Sequence, residues 1–118
     1  MASQAQTDCV HAKDPNRADL PSSETLVTAA SMLSAAGDVA RLRLLLRLAK
    51  GRQCVGELAD AEGEKMATIS ARLKLLHAAR LVSRQREAKH VYYELADDHI
   101  TCLMTDILEH ASEENTRK

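Results

Sequence analysis

The sequence predicts a mainly α-helical fold with one small β-hairpin, and three observations support this. The chain has no Phe or Trp and only two Tyr, so a core of Leu, Ala, Val, Ile and Met is expected, which favours packed helices. Apolar residues recur at three- and four-residue spacing through most of the chain. The exception is 81–95, where β-forming residues predict two short strands. At 118 residues the chain is long enough for one domain with a modest core.

The N-terminal third divides into an arm and two helices. Residues 1–22 are polar and predict a flexible arm. Ser22 or Ser23 is a good N-cap for the first helix, and Gly37 is expected to end it. Asp38 is the next N-cap candidate. The helix after it is so rich in Leu that we expect it at the centre of the core.

Two helices joined by a glycine-containing turn come next. Residues 54–61 predict a short helix, 62–65 a tight turn, and 66–79 a second helix with an apolar inner stripe. This is the helix-turn-helix plan, in which the second helix enters the major groove of DNA. The residues of that helix expected to contact DNA are polar or basic: Thr68, Ser70, Arg72, Lys74 and His77.

A basic hairpin directly follows this unit. Residues 81–86 and 90–95 predict its strands, and Arg84, Arg86 and Lys89 place cations on it, as on the DNA-touching wing of a winged helix-turn-helix. Residues 65–93 hold seven Lys or Arg and one acid, so this stretch carries about +6 and the rest about −7, for a net charge of −1. A local basic patch on a near-neutral chain indicates a polyanion bound by one face, here double-stranded DNA.

The last helix, predicted from Asp97 to Glu114, carries two pairs of metal-ligand residues beside an apolar face. Asp97 and His99 stand at its start, and His110 and Glu113 stand near its end. His99 and His110 lie roughly 16 Å apart along a helix, whereas zinc needs ligands within about 2.2 Å. The pairs can meet if two copies of the helix pack antiparallel, which predicts a homodimer with two metal sites. The alternative is an ordinary N-cap and a solvated acidic face.

The ligand set indicates which metals and which classes of protein to expect. Two imidazoles and two carboxylates suit Zn²⁺, with Co²⁺ and Cd²⁺ as alternatives. Four ligands from two chains fill a tetrahedral shell, whereas catalytic zinc keeps an open position, so an enzyme is not expected. Neither a membrane-spanning run nor a signal peptide is evident, and three Cys do not suggest a disulfide framework. We therefore expect a cytoplasmic protein.

Several segments resemble the ArsR/SmtB family of metal-responsive winged-helix repressors, over roughly residues 24–114. They are Gly37 to Leu45, Cys54 to Ala59, Ile69 to Leu76, Ala79 to Val82, His90 to Leu95 and the last helix. The family's zinc sensors carry Asp-x-His, ten residues, then His-x-x-Glu on that helix, and Asp97, His99, His110 and Glu113 match all four positions. The resemblance implies that the apo dimer represses metal efflux or resistance genes and that bound metal releases it from the operator. Together with the composition of the arm, it leads us to expect an arm at 1–22, a winged helix with N- and C-terminal dimerisation helices at 23–114, and a tail at 115–118.

The resemblance also suggests a second candidate metal site. Some members bind soft metals with cysteines from the arm and from the start of the third helix. Here the matching residues are Cys9, His11, Cys54 and Glu57. The Cys-Val-Cys triplet of arsenic and cadmium sensors is absent, because Gly56 replaces its second cysteine. The alternative function is therefore a regulator that responds to soft metals or to thiol oxidation through Cys9 and Cys54.

Overall fold

A computed structural model describes residues 19–117 as five helices and a three-stranded sheet. The elements in chain order are α1 (Ser23–Ala36), α2 (Val39–Leu48), β1 (Gln53–Cys54), α3 (Val55–Glu62), α4 (Met66–Ala78), β2 (Val82–Glu87), β3 (His90–Leu95) and α5 (Asp98–Thr116). The predicted mainly helical fold with a hairpin is confirmed. Within the described part of the chain, none of these helices combines the length and the apolar character that a membrane crossing requires.

The predicted helix ends follow from local capping. The Ser22 hydroxyl accepts a hydrogen bond from the Thr25 amide at 3.1 Å, and the Asp38 carboxylate accepts one from the Arg41 amide at 3.0 Å. Each satisfies an amide that has no partner within the first turn of its helix. Gly37 ends α1 as predicted, so a single Gly-Asp pair separates α1 from α2.

The core is aliphatic and lies between α2, α3 and α4. Six side chains in it have no exposed surface: Leu44, Leu45, Leu58, Ile69, Leu73 and Leu76. Burying a side chain of this kind contributes about 1.5–3 kcal/mol relative to leaving it exposed. The prediction that the Leu-rich helix forms the centre of the core is therefore confirmed, as is the inner stripe of α4.

The sheet has the order β1-β3-β2, and both pairings are antiparallel. Strands β2 and β3 pair from Val82 with Leu95 to Glu87 with His90, leaving a two-residue turn. After Val82 every residue of β2 is exposed, whereas β3 packs on the core through Tyr93, so β2 forms the outer strand of the wing.

The prediction of a helix beginning at Cys54 was wrong by one residue and missed a strand. Cys54 belongs to β1, pairs with Tyr92, and stands as the N-cap residue of α3. A two-residue strand is too short for alternating polarity to be visible in the sequence. It forms because β3, distant in sequence, offers a free edge.

The two terminal helices leave much of their apolar surface uncovered. Helix α1 has no buried residue, and on α5 only Met104 is buried. The predicted apolar face of α5 is therefore split, because Ile100 and Met104 pack on the chain's own core while its other large apolar residues stay exposed. The exposed apolar residues of these helices are Leu26, Val27 and Leu33 on α1, and Leu103, Ile107 and Leu108 on α5.

Candidate nucleic-acid interface and metal centre

The turn between α3 and α4 is set by a glycine. Gly63 has φ 67°, a left-handed conformation that costs glycine little, and the Glu64 amide donates back to the Ala59 carbonyl at 3.0 Å. The Glu64 carboxylate lies 3.7 Å from the Arg72 guanidinium and so links the turn to α4. Arg72, a predicted DNA contact, is thus half-buried and already paired.

The exposed side of α4 differs from the predicted set of contacts. With 3.6 residues per turn, its outermost strip runs through Ala67, Ala71, Lys74 and Ala78, all of which are exposed. The other predicted contacts flank this strip, with Thr68 and Arg72 on one side and Ser70 and His77 on the other. Ala67 and Ala71 stand where the resembling family has other residues and were not among the predicted contacts, although methyl side chains let a helix approach bases closely and contact thymine methyls.

The wing carries its cations on exposed positions, as predicted. Arg84 and Arg86 are exposed on the outer strand β2, and Lys89 is exposed in the turn. The one acid of the basic stretch, Glu87, ends β2 beside that turn.

Glu87 is paired with an arginine that the sequence interpretation did not single out. Two Arg52 nitrogens, Nη2 and Nη1, donate to its carboxylate oxygens at 2.7 and 3.1 Å. The same guanidinium lies 4.2 Å from the centre of the Tyr92 ring. The hydrogen bonds from Arg52 lower the pKa of Glu87, and those to Glu87 raise the pKa of Arg52. In the sequence, the feature that marks Glu87 as a residue in need of a partner is its position as an isolated acid in a basic segment.

A second acid, Glu62 at the end of α3, is paired with two arginines of α2. The Glu62 side chain, only 6% exposed, accepts from Arg43 Nε at 2.8 Å and also from Arg47 Nε. The hydrogen bond from Arg43, assisted by Arg47, lowers the pKa of Glu62, although burial opposes the shift. This cluster ties the end of α3 to α2 and has a structural role.

The first predicted metal-ligand pair lies at the start of α5. The Asp97 carboxylate accepts the Ile100 amide at 3.1 Å and so caps the helix. Its Oδ1 lies 3.7 Å from His99 Nδ1, and both side chains are mostly exposed. Asp97 therefore caps α5 and also lies beside His99, so its position is compatible with both alternatives that the sequence left open.

The second pair lies near the other end of α5, on exposed surface. His110 and Glu113 are both exposed, and in the single chain His110 Nε2 lies 3.9 Å from a carboxylate oxygen of Glu114. Within residues 19–117 no three His, Cys, Asp or Glu side chains come together as a metal-binding group. Within one chain the two predicted pairs therefore stay apart, as their spacing requires.

His99 of the first pair and both residues of the second pair share one line along α5, whereas the N-cap residue Asp97 lies off it. Four-three-four-three spacing places the residues of this line on a single helical seam: His99, Leu103, Asp106, His110 and Glu113. Leu103 is exposed and apolar, and Asp106, half-buried at the middle of the seam, was not singled out from the sequence. Asp106 stands seven residues after His99 and four before His110, and this helical spacing, visible in the sequence, places it on the same face as both.

The second candidate metal site is only partly within the described residues. Cys54 is half-buried, and the Glu57 carboxylate accepts the Cys54 amide at 2.8 Å, so Glu57 acts as a capping residue of α3. Cys54 also lines a cavity of about 300 Å³ with Met66 and His90. The other two predicted ligands, Cys9 and His11, lie outside the described residues.

Comparisons with known proteins agree with this architecture. Residues 38–84 match the model of the family described as bacterial regulatory protein, arsR family. A transcriptional repressor SmtB homolog of Synechocystis sp. is 38% identical over 84 residues, which cover 71% of this chain and 64% of that protein, slightly less than two thirds of its length.

Two further proteins extend the comparison. The HTH-type transcriptional repressor SmtB of Mycobacterium tuberculosis is 35% identical over 94 residues, covering 80% of this chain and 70% of that protein. A homodimeric winged helix-turn-helix DNA-binding domain from Mycobacterium bovis, a possible ArsR-family regulator, superposes with a TM-score of 0.74 at 30% identity. The match covers 80% of this chain and 91% of that one.

Proposed function

The chain belongs to the arsR family of bacterial regulatory proteins, and from this premise we propose that it is a metal-responsive transcriptional repressor. In this proposal the apo homodimer binds operator DNA, and Zn²⁺ held between paired α5 helices releases it to allow expression of metal efflux or resistance genes. Co²⁺ and Cd²⁺ are alternative ions. The SmtB relatives are named as repressors, so an enzymatic function is not proposed.

The observation that carries the metal site is the α5 seam. Together with the N-cap residue Asp97, the seam residues His99, His110 and Glu113 offer two imidazoles and two carboxylates, a donor set that suits zinc. Asp97 and His99 form one half-site and His110 and Glu113 the other, and His99 and His110 are mostly exposed. When two copies of α5 lie antiparallel, each half-site faces the complementary one, with the exposed Leu103 side chains between them.

The exposed apolar surface supplies a reason for the helices to pair. Leu103 and Ile107 on α5 are 43% and 48% exposed, and Leu26 and Val27 on α1 are 45% and 69% exposed. Burial of such groups releases roughly 25 cal/mol for each Å² of apolar surface. Two-fold pairing repeats the metal site and places two wings and two α4 helices on one DNA duplex.

The proposed DNA contacts divide between the helix and the wing. Lys74 and the alanines of the α4 strip approach the bases, while Thr68, Ser70, Arg72 and His77 flank them. Arg84, Arg86 and Lys89 on the wing contact phosphates or the minor groove, where cations provide affinity and strong salt dependence.

Regulation then takes the form of a coupling free energy. Bound metal cross-links the two α5 helices by its affinity for four ligands at once. Met104 and Ile100 connect α5 to the core that supports α4 and the wing, so a shift of α5 is transmitted to the DNA-binding elements. By linkage, if metal weakens DNA binding by a given factor, DNA weakens metal binding by that factor.

Fluorescence anisotropy tests this proposal, with duplex DNA from upstream of the protein's own gene at fixed salt. We expect Zn²⁺ to release the wild type but not His99→Ala/His110→Ala or Glu113→Gln. Glu114→Gln is the matched control, since Glu114 is the adjacent exposed acid and its carboxylate lies 3.9 Å from His110 in the single chain. If Glu114→Gln rather than Glu113→Gln abolishes the response, the proposed ligand set is wrong.

A mixed-dimer experiment tests whether the site is shared between chains. His99→Ala and His110→Ala each damage both sites of their homodimers. A mixed dimer of the two regains one complete site, because the intact Asp97–His99 half of one chain faces the intact His110–Glu113 half of the other. Recovery of one bound metal per mixed dimer supports the shared site, and no recovery contradicts it.

The alternative remains a response to soft metals or thiol oxidation through Cys9 and Cys54. It is favoured by the half-buried Cys54 at the start of α3, next to the helix-turn-helix. If Zn²⁺ leaves the wild-type complex intact, while Cys9→Ser/Cys54→Ser abolishes the response to a soft ion or an oxidant, the alternative replaces the α5 proposal.

A further inference from the structure

The contacts of Arg52 link the base of the wing to its tip. Arg52 directly precedes β1, the strand that pairs with β3 on the side away from β2. Its guanidinium lies over the Tyr92 ring of β3, 4.2 Å from the ring centre, and donates two hydrogen bonds to Glu87 at the end of β2. One side chain therefore touches both strands of the hairpin, in planar two-point geometry that arginine alone provides.

The location of Arg52 is itself well defined. Gly51, the residue before it, donates its amide to the Leu48 carbonyl at 3.0 Å and has φ 145°, which side-chain-bearing residues rarely adopt. The chain therefore leaves the buried end of α2 with a fixed direction. Arg52 extends that direction to the wing, whose strand β3 packs on the core through Tyr93 and whose outer strand β2 is almost fully exposed.

Glu87 is otherwise difficult to explain in a DNA-binding wing. It is the single acid among seven bases in residues 65–93, and it lies beside Lys89 in a segment proposed to approach phosphates. An unpaired carboxylate there would repel DNA. Its two hydrogen bonds to Arg52 remove this objection, because the pair is neutral overall and its carboxylate oxygens face the guanidinium.

We propose that Arg52 is a positioning residue that holds the wing through Glu87 and Tyr92, so that Glu87 aids DNA binding although its charge opposes it. The consequence for DNA rests on the proposed function, whereas the positioning of the wing does not. Exposed ion pairs of this kind shift an equilibrium by up to about fivefold.

The first measurement uses the protein without DNA. Amide hydrogen exchange, followed by NMR in the full chain, reports opening of the hairpin. We expect Arg52→Ala, Arg52→Lys and Glu87→Gln each to speed exchange in 86–91 by about two- to fivefold. Arg84→Ala is the control, because Arg84 is a neighbouring wing cation that forms neither a hydrogen bond nor an ion pair with Glu87, and it should leave exchange in 86–91 unchanged. Exchange in Glu87→Gln equal to wild type would overturn the proposal.

The second measurement asks whether a substitution of Glu87 strengthens or weakens DNA binding. Loss of an acid beside DNA should by charge alone strengthen binding to the upstream duplex, whereas loss of the positioning contact should weaken it. We expect Glu87→Gln to weaken binding about two- to fivefold at fixed salt. Glu94→Gln, which removes an exposed acid from β3 of the same hairpin, should not weaken it.

Two further variants separate positioning from direct phosphate contact. Arg52→Lys keeps the charge but loses the two-point geometry, so it should bind more weakly than the wild type, and Arg52→Ala, which also leaves the Glu87 charge unpaired, should bind at least as weakly as Arg52→Lys. Arg52→Ala/Glu87→Gln should be no worse than either single variant, since all three lose one shared contact. Tighter or unchanged binding by Glu87→Gln, or wild-type binding by Arg52→Lys, would refute positioning. If the wild type fails to bind the duplex, the proposed function fails, and the exchange measurement still decides the role of Arg52.

Discussion

Asp97 offers the sharpest test of the last helix, because one carboxylate is assigned two separable roles. It caps α5 by accepting the Ile100 amide at 3.1 Å, and it is proposed to bind metal beside His99. Asp97→Asn keeps an oxygen for the cap but removes the charge, whereas Asp97→Ala removes both. The two substitutions therefore have different effects on stability but similar effects on metal binding.

The expected magnitude follows from the exposure of the cap. Loss of an N-cap side chain costs about 0.5–2 kcal/mol, and loss of a negative charge at a helix N-terminus costs about 0.3–1 kcal/mol. Since the Asp97 side chain is 58% exposed, the lower halves of these ranges apply. We expect Asp97→Ala to destabilise the metal-free protein by about 1 kcal/mol and Asp97→Asn by less than about 0.5 kcal/mol.

Metal affinity is expected to respond to both substitutions. Loss of an indirect partner of a metal site already costs about 10–100-fold in affinity, and loss of a direct ligand should cost at least as much. Urea unfolding of the metal-free protein at fixed protein concentration measures the loss of stability, and competition with a zinc chelator measures the loss of zinc affinity. Wild-type zinc affinity in Asp97→Asn would refute the ligand role, and equal destabilisation by Asn and Ala would refute the capping role.

Three further predictions concern the core, the wing turn and the pairing of Glu62 with Arg43 and Arg47. Leu73→Ala, at a fully buried position of α4, should destabilise the fold by about 2–5 kcal/mol in urea unfolding, and a cost below about 1 kcal/mol would contradict its core position. Ala88 has φ 58° at the first position of the two-residue wing turn, where glycine is preferred, so Ala88→Gly should raise the free energy of unfolding by about 0.5 kcal/mol. Arg43, then Arg47, lower the folded-state pKa of Glu62 below its ordinary 4.5, so its stabilisation is present above about pH 4.5 and is lost as pH falls through the folded pKa. Glu62→Gln should therefore lower the free energy of unfolding at pH 7 and reduce the fall of that free energy between pH 5 and 3, as measured by unfolding across this pH range. A fall as steep as in the wild type would contradict the stabilising role of the pairing between Glu62 and its two arginines.

The wing illustrates how a pattern can identify an element without identifying its support. The β-forming residues of 90–95 and the cations of 84–89 are local features, and they predicted a basic hairpin. The contact between Arg52 and Glu87 joins residues 35 apart, and no local rule connects them. Charge contrast within the segment marked Glu87 as unusual, but the identity of its partner depends on where α2 ends and β1 begins.

The sequence by itself determined the helices, their caps and the order of the elements. Ser22, Gly37 and Asp38 act through hydrogen bonds within a few residues of the chain, and the 3.6-residue period assigns Ile69, Leu73 and Leu76 to a buried face wherever α4 is placed. The spacing of Asp97, His99, His110 and Glu113 likewise predicts two half-sites, because the rise of a helix is constant.

Only the tertiary structure decided which apolar and charged groups have partners. It divided the apolar face of α5 between the chain's own core, at Met104, and exposed surface, at Leu103 and Ile107. It added the strand β1, which exists because a free edge of β3 lies beside it. It paired Glu62 with arginines of α2 and Glu87 with Arg52. These outcomes depend on packing between segments distant in the chain, and periodicity and capping, being local, carry no information about such distances.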